Sequence, residues 1–471
     1  KKVWALRYAI ELLGWDIETY MPQGGAVARG EALAELEILT KKELMNISSL
    51  VEKASNLEGL DDVEKGIVRV LTRRIKYYSR IPEELLLELN QVTSKGTINW
   101  RIDRQKNEFN RFKPFLNRIV EINRVIAEKL GYEKHPYNAL LDLYEEGLTV
   151  DDMDMIFSKV VNRIPALLKK DLPSHHELED VRYKVEEMSR VNEGIIKLLG
   201  MPNERFRMDI STHPFTAGIA VDDVRITTRY EGYDFKRSLY STVHECGHAI
   251  YELNLDKSLE GTPVCVGASS GVHESQSRFW ENFIGRSKAF VDVAYPVLEN
   301  LSFIRKYGKS DIYVYFNVVK PSFIRVDADE LTYNLHIAIR YEIEKKLIAG
   351  ELNVDEIHSY WSELMDRYLG IKPKGYADGF LQDVHWSKGW MGYFPTYTPG
   401  NVIAGIIWSN LRNLEEYVYN KDFNVIKSYL REKIYKFGSI YPPKELIKKS
   451  FNETYNPDHL MLYLEKKYST F

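Results

Sequence analysis

The sequence predicts a mainly α-helical fold with one small β-sheet, and three observations carry that reading. Through the first two hundred residues apolar positions recur every three or four residues, as in 63–79 and 115–130, with Lys, Glu, Arg and Asn between them. That is the period of helices with one buried face. From about Met201 to Gly271 the texture breaks: Pro202, Pro214, Gly218, Gly232, Gly261 and Pro263 punctuate shorter elements. One of these, 223–230, alternates and is rich in β-branched residues, so it predicts a strand. From 311 to 370 the helical period returns.

Taken in order, Pro82 opens a helix after Arg80-Ile81, and Gly96, Gly131 and Gly147 are expected as helix stops. A helix is expected from Asp234, as N-cap, to about Leu255, with Leu239, Val243, Ala249, Ile250 and Leu253 on its buried face. A second begins after the Gly/Ser run ending at Gly271 and reaches Asn282. The segment 375–400, dense in Gly, Pro and aromatic residues without a period, is expected to be site-forming loop.

Composition narrows the function. A chain of 471 residues that is 44% apolar and 28% charged can bury a core. Its net charge of -4, with no dense run of one sign, speaks against nucleic acid as a partner. No apolar run reaches the roughly 18 residues of a membrane span, and the N-terminus lacks a secretory signal pattern. Two cysteines, Cys246 and Cys265, fit a reducing compartment, so the expected location is cytoplasmic.

The sharpest motif is His244-Glu245-Cys246-Gly247-His248. Residues four apart share a helix face, so His244 and His248 present two imidazoles to one ion while Glu245 stands beside its open position. With 11 His in the chain, a random match somewhere has a probability of about 0.02. Glu274, in His273-Glu274-Ser275-Gln276, lies 26 residues beyond His248 and is the candidate third ligand. A His/His/Glu set leaves a fourth position open for water, the catalytic rather than the structural arrangement of zinc. Cys246 is expected to face the core. Each ligating imidazole is expected to donate its other N–H to a carboxylate or carbonyl, with Asp383 and Asp329 as possible partners.

Further motifs follow in order: Trp15-Asp16 with Met21-Pro22; His213-Pro214-Phe215; Asp223-x-Arg225-x-Thr227; Ile324-Arg325-x-x-Ala328-Asp329; and Gly379-x-x-Gln382-Asp383-x-His385-Trp386. With the two His/Glu motifs, this set is similar to metallocarboxypeptidases of the carboxypeptidase Taq family over nearly the whole chain. The resemblance implies a helical, cleft-bearing fold with a small sheet beside the metal site, usually a homodimer. It implies removal of single amino acids from peptide C-termini, with broad side-chain tolerance and poor action before proline. It also implies one zinc per chain, with cobalt active in some members.

The expected organisation is therefore one metallocarboxypeptidase domain over 1–471: a helical half 1–200, a metal-site and substrate-binding region 201–400, and a helical part 401–471, with two helical halves around a deep cleft. A carboxypeptidase must hold a free carboxylate, which a bidentate Arg does best. Arg325 is the expected anchor, its alternative role being an internal ion pair with Asp327 or Asp329; Arg225 is expected to bind substrate backbone or brace the site. His213 is a candidate for lining the substrate side. His385, Tyr393 and Tyr397 are candidates for stabilising the oxyanion, with His385 preferred. Glu245 is the expected general base. The rival readings are a zinc endopeptidase or dipeptidyl carboxypeptidase on a related helical fold, and a non-catalytic binding protein stabilised by metal.

Overall fold

The structure, a computed structural model, describes residues 1–469. Twenty α-helices are found among them: α1 (Lys2–Thr19), α2 (Ala26–Asn46), α3 (Ser48–Ser55), α4 (Asp62–Arg80), α5 (Glu83–Lys106), α6 (Lys113–Leu130), α7 (Tyr137–Tyr144), α8 (Val150–Leu168), α9 (Val185–Leu198), α10 (Lys236–Leu253), α11 (Ser270–Arg278), α12 (Lys288–Leu298), α13 (Lys309–Phe316), α14 (Tyr333–Ala349), α15 (Ile357–Leu369), α16 (Tyr397–Asn410), α17 (Leu414–Tyr419), α18 (Phe423–Lys433), α19 (Pro443–Phe451) and α20 (Asp458–Tyr468). Three strands, β1 (Phe206–Ile210), β2 (Thr216–Ala220) and β3 (Asp223–Thr228), complete the mainly α fold. No helix among the described residues is long and apolar enough to cross a membrane.

The chain forms two compact units. The first comprises Lys1–Ile75, His175–Asn317 and Ile406–Thr454; the second comprises Lys76–Ser174, Val318–Gly405 and the stretch from Tyr455 onward.

In the first unit the sheet has the order β1-β3-β2, with β1 parallel and β2 antiparallel to β3. Strand alternation gives β2 two faces. Ala217 and Ile219 pack with Trp15, Tyr8 and Leu12 of α1, whereas Thr216 and Gly218 face α10. Helix α10 is anchored because Leu239, Val243, Cys246, Ala249 and Ile250 are all buried, and it packs on α9, α11, β2 and β3. It begins at Lys236, and Asp234 does not cap it. Asp234 instead has a left-handed φ of 46° and accepts a hydrogen bond from the Tyr315 hydroxyl at 2.6 Å.

In the second unit α14 is buried almost all round, packed on α6, α7, α8 and α15. Gly147, with φ of 76°, lies in the turn three residues past the end of α7 and does not cap it, while Gly131 stops α6 with φ of 79°, as expected. Gly96 does not: it sits inside α5, where a β-carbon would lie 3.3 Å from the Phe115 Cβ of α6. That glycine serves a helix crossing. The segment expected as loop from 375 to 400 contains two short 3-10 helices, His385–Lys388 and Phe394–Thr396, and its end already belongs to α16.

Candidate metal centre and active site

In the first unit α10 and α11 bring His244, His248 and Glu274 together. The Nε2 atoms of His244 and His248 lie 3.7 and 3.5 Å from Glu274 Oε2, and one ligand atom of each residue falls within 4.8 Å of the others. The close approach depends on Gly247, whose missing side chain lets the α11 backbone at Gln276 and Ser277 meet α10.

Each imidazole is held from behind. His244 Nδ1 lies 2.9 Å from Glu281 Oε2, and His248 Nδ1 lies 2.6 Å from His273 Nδ1. Glu281 is carried by a π-helical turn, Phe279–Gly285, that continues α11; such turns re-aim side chains and recur at functional sites. Arg278 donates to Glu274 Oε1 at 2.7 Å and to Glu281 Oε2 at 3.3 Å, and Arg286 donates to Glu281 Oε1 at 3.2 Å. The imidazole partners are thus Glu281 and His273. Asp329 instead accepts from the Leu331 and Thr332 amides near the start of α14, and Asp383 accepts from two arginines.

The electrostatics favour a ligand set. Burial disfavours both charged carboxylates, but Arg278 and then His244 hold Glu274, and Arg278 with His244 and Arg286 hold Glu281, below the usual range. Burial pushes His248 down to about 3, which favours the neutral imidazole. For His244 burial is outweighed by the Glu274 charge and the Glu281 hydrogen bond, which move it up. Two Nε2 atoms and a carboxylate oxygen converge while both Nδ1 atoms are engaged elsewhere. This donor set fits a divalent ion with an open position.

Glu245, buried beside His244, accepts a hydrogen bond from Thr216 of β2 at 2.6 Å. Burial raises its carboxyl, partly offset by His244 and Thr216. Cys246 is fully buried in the core, as expected, and burial pushes its thiol up. Arg225 forks onto Asp223 with two 2.8 Å bonds and stacks over Trp15. His213 is exposed in the turn before β2, where Ser211 donates to its carbonyl at 2.7 Å.

Arg325, His385, Tyr393 and Tyr397 belong to the second unit. Arg325 and Arg340 share one carboxylate: Arg325 donates to Asp383 Oδ1 at 2.8 and 3.1 Å, and Arg340 to Oδ2 at 2.6 and 2.8 Å. The ion-pair partner of Arg325 is therefore Asp383, not Asp327 or Asp329. The Arg325 guanidinium also lies over Phe394 and Tyr397, and its Nη1 donates to the Tyr333 hydroxyl at 3.3 Å. His385 packs between Phe394 and Tyr393; burial first, then both arginines, push it down to about 3. Tyr393 and Tyr397 meet edge to face.

Known proteins match this chain closely. The sequence profile described as carboxypeptidase Taq (M32) metallopeptidase matches residues 1–468. The chain belongs to that family. The thermostable carboxypeptidase 1 of Pyrococcus furiosus is 45% identical, covering 99% of this chain and 96% of that one. Carboxypeptidase 1 of Bacillus subtilis is 37% identical, covering 98% and 95%. A solved structure of the Pyrococcus furiosus carboxypeptidase superposes with a TM-score of 0.97 at 45% identity, over 99% of this chain and 96% of that one. A member of the carboxypeptidase Taq family is a metallocarboxypeptidase, a peptide hydrolase that works with a divalent metal, and the His244, His248 and Glu274 group fits one.

Glu281, Arg278 and Thr216 are functional residues that no sequence motif above singles out. Glu281 carried one signal, its place seven residues after Glu274, which puts it near the same helix face.

Proposed function

We propose that this carboxypeptidase Taq family member releases single amino acids from peptide C-termini, with broad side-chain tolerance and poor action before proline, using one Zn2+ per chain that Co2+ can replace. The observation that carries the reading is the convergence of His244, His248 and Glu274 with the buried Glu245 carboxylate beside them.

His244 and His248 through Nε2, and Glu274 through a carboxylate oxygen, would hold the metal. When bound, the ion supplies Lewis-acid polarisation of the last peptide carbonyl and lowers the pKa of a water. Glu245 takes a proton from water and returns it to the leaving amine; Thr216 fixes the carboxylate for both transfers. Arg325 anchors the terminal carboxylate. Two guanidiniums share the single Asp383 charge, so this cluster keeps a surplus positive charge for an incoming anion. His385, with Tyr393 and Tyr397 as alternatives, donates to the developing oxyanion. Arg225, already committed to Asp223, braces β3, and His213 lines the substrate side.

The whole of 1–471 acts as one catalytic domain, and the protein works as a cytoplasmic homodimer on peptides. Two free cysteines support a reducing location; light scattering on the purified chain tests the dimer.

The deciding experiment is a timed digestion of a free-acid peptide and its C-terminal amide, with chelation and metal add-back, read by mass spectrometry. Stepwise loss of single residues from the free acid alone, only with metal, is expected. Equal cleavage of the amide would establish an endopeptidase, release of dipeptides a dipeptidyl carboxypeptidase, and no metal-dependent cleavage a binding protein.

A further inference from the structure

We propose that His273 and Glu252 form a positioning relay behind the ligand His248: Glu252 holds His273, and His273 holds the His248 ring for metal binding. The inference rests on the reading that His244, His248 and Glu274 hold a metal.

The two ligand imidazoles are supported differently. His244 Nδ1 faces a carboxylate directly, Glu281 at 2.9 Å. His248 Nδ1 faces another imidazole, His273 Nδ1 at 2.6 Å, and the far nitrogen of that ring, Nε2, lies 2.7 Å from Glu252 Oε1. The tautomers follow from the donor count. A ligand nitrogen must offer its lone pair, so with His248 Nε2 turned to the metal position the His248 proton sits on Nδ1; it is donated to the His273 Nδ1 lone pair, and His273 donates its own Nε2 proton to Glu252. A carboxylate therefore orients each ligand imidazole, once directly and once through an intervening ring, and such outer partners raise ligand basicity and fix ring rotation.

Two glycines make room for the relay. A β-carbon at Gly218 of β2 would lie 2.7 Å from the Glu252 carboxylate, and one at Gly267 would lie 2.6 Å from His273 Cδ2. Neither glycine has a left-handed φ, so both are explained by these close approaches rather than by backbone conformation. Tyr251 completes the box, its ring centroid 5.2 Å from that of His273. Glu252 stands one turn beyond His248 on α10, so one helix carries both the ligand and the distal end of its relay.

The test measures Zn2+ affinity by competition with a chromophoric chelator, and the visible spectrum of the Co2+ form, in the full chain. H273F, which keeps a ring and removes both polar atoms, is expected to weaken Zn2+ binding about 10–100-fold, and E252Q about 10-fold. H273Q, which restores an acceptor and a donor, is expected to recover most of the H273F loss. G218A is expected to weaken binding in the parent and to add nothing in an E252A background, because its effect runs through Glu252. Each variant's melting curve separates misfolding from loss of affinity. If parent and variants bind Zn2+ equally with unchanged Co2+ spectra, or if G218A costs as much without Glu252 as with it, the relay is wrong. If the parent binds no metal, the underlying reading of the site fails instead.

Discussion

Gly247 of α10 and Ser277 of α11 approach so closely that a β-carbon on Gly247 would sit 2.6 Å from the Ser277 Cα and 2.8 Å from the Gln276 carbonyl oxygen. Both obstacles are backbone, so no rotamer change relieves them. The candidate metal centre depends on this contact, because it sets the distance from His244 and His248 to Glu274.

Gly247→Ala should therefore separate the two helices, costing about 1–3 kcal/mol in chemical denaturation and weakening Zn2+ binding in chelator competition. Gly14, inside α1, is the control, since a β-carbon there would meet nothing within 4 Å. Gly14→Ala should stabilise by about 0.5–1 kcal/mol. Opposite signs at two helical glycines would show that the contact, not the residue type, decides the outcome; a neutral Gly247→Ala would refute it.

Glu245→Gln keeps the Thr216 hydrogen bond within reach and leaves the ligand set His244, His248 and Glu274 intact. Turnover should fall about 10²–10⁴-fold while metal content stays at one per chain. Near-normal turnover by the metal-loaded variant would remove Glu245 from its role as base.

Asp383→Asn leaves Arg325 and Arg340 with no carboxylate between them, in a site where all three side chains are at most 9% exposed. Breaking such a pair from one side costs about 3–5 kcal/mol, which urea unfolding would read directly. A loss below about 1 kcal/mol would mean that the two guanidiniums reach water or another acceptor.

What could be read in the sequence follows physical range. His244 and His248 were legible because four-residue spacing on a helix fixes their common face, with Glu245 next to them in the same motif. Strand β3 was legible from its β-branched alternation, whereas Phe206–Ile210 and Thr216–Ala220 are too short and, in β2, too rich in Ala and Gly to signal a strand. Gly96 looked like a helix stop because its real cause, the Phe115 side chain of α6, lies outside its local sequence. Local sequence offers Arg325 the carboxylates two and four residues away, whereas its partner Asp383 stands 58 residues on. The seven-residue spacing of Glu281 from Glu274 hints at a shared face, but the π-turn that aims Glu281 at His244 leaves no mark in the 3.6-residue period.

Glu344 of α14 gives the pH prediction. Its carboxylate accepts from Trp386 Nε1 at 2.6 Å, from the Gly392 amide at 2.8 Å and from the Tyr137 hydroxyl, so it ties α14 to α7 and to the segment carrying His385, Tyr393 and Tyr397. Burial pushes the carboxyl up to about 7, against these three hydrogen bonds and the Arg340 charge. In the unfolded chain the group titrates near 4.3. The folded state therefore binds the extra proton between those values, and by linkage the stabilisation is complete below the unfolded value and is lost as pH rises through 7. The Glu344 contribution should decline between pH 5 and 8 by an amount on the order of 2–3 kcal/mol. Glu344→Gln cannot ionise, so the difference in unfolding free energy between parent and variant should move in the variant's favour across that window. Neutral buried imidazoles such as His385 act in the opposite sense but are common to both proteins and cancel in the difference. Parallel stability curves from pH 5 to 8 would show that Glu344 stays charged throughout, held by its donors against burial.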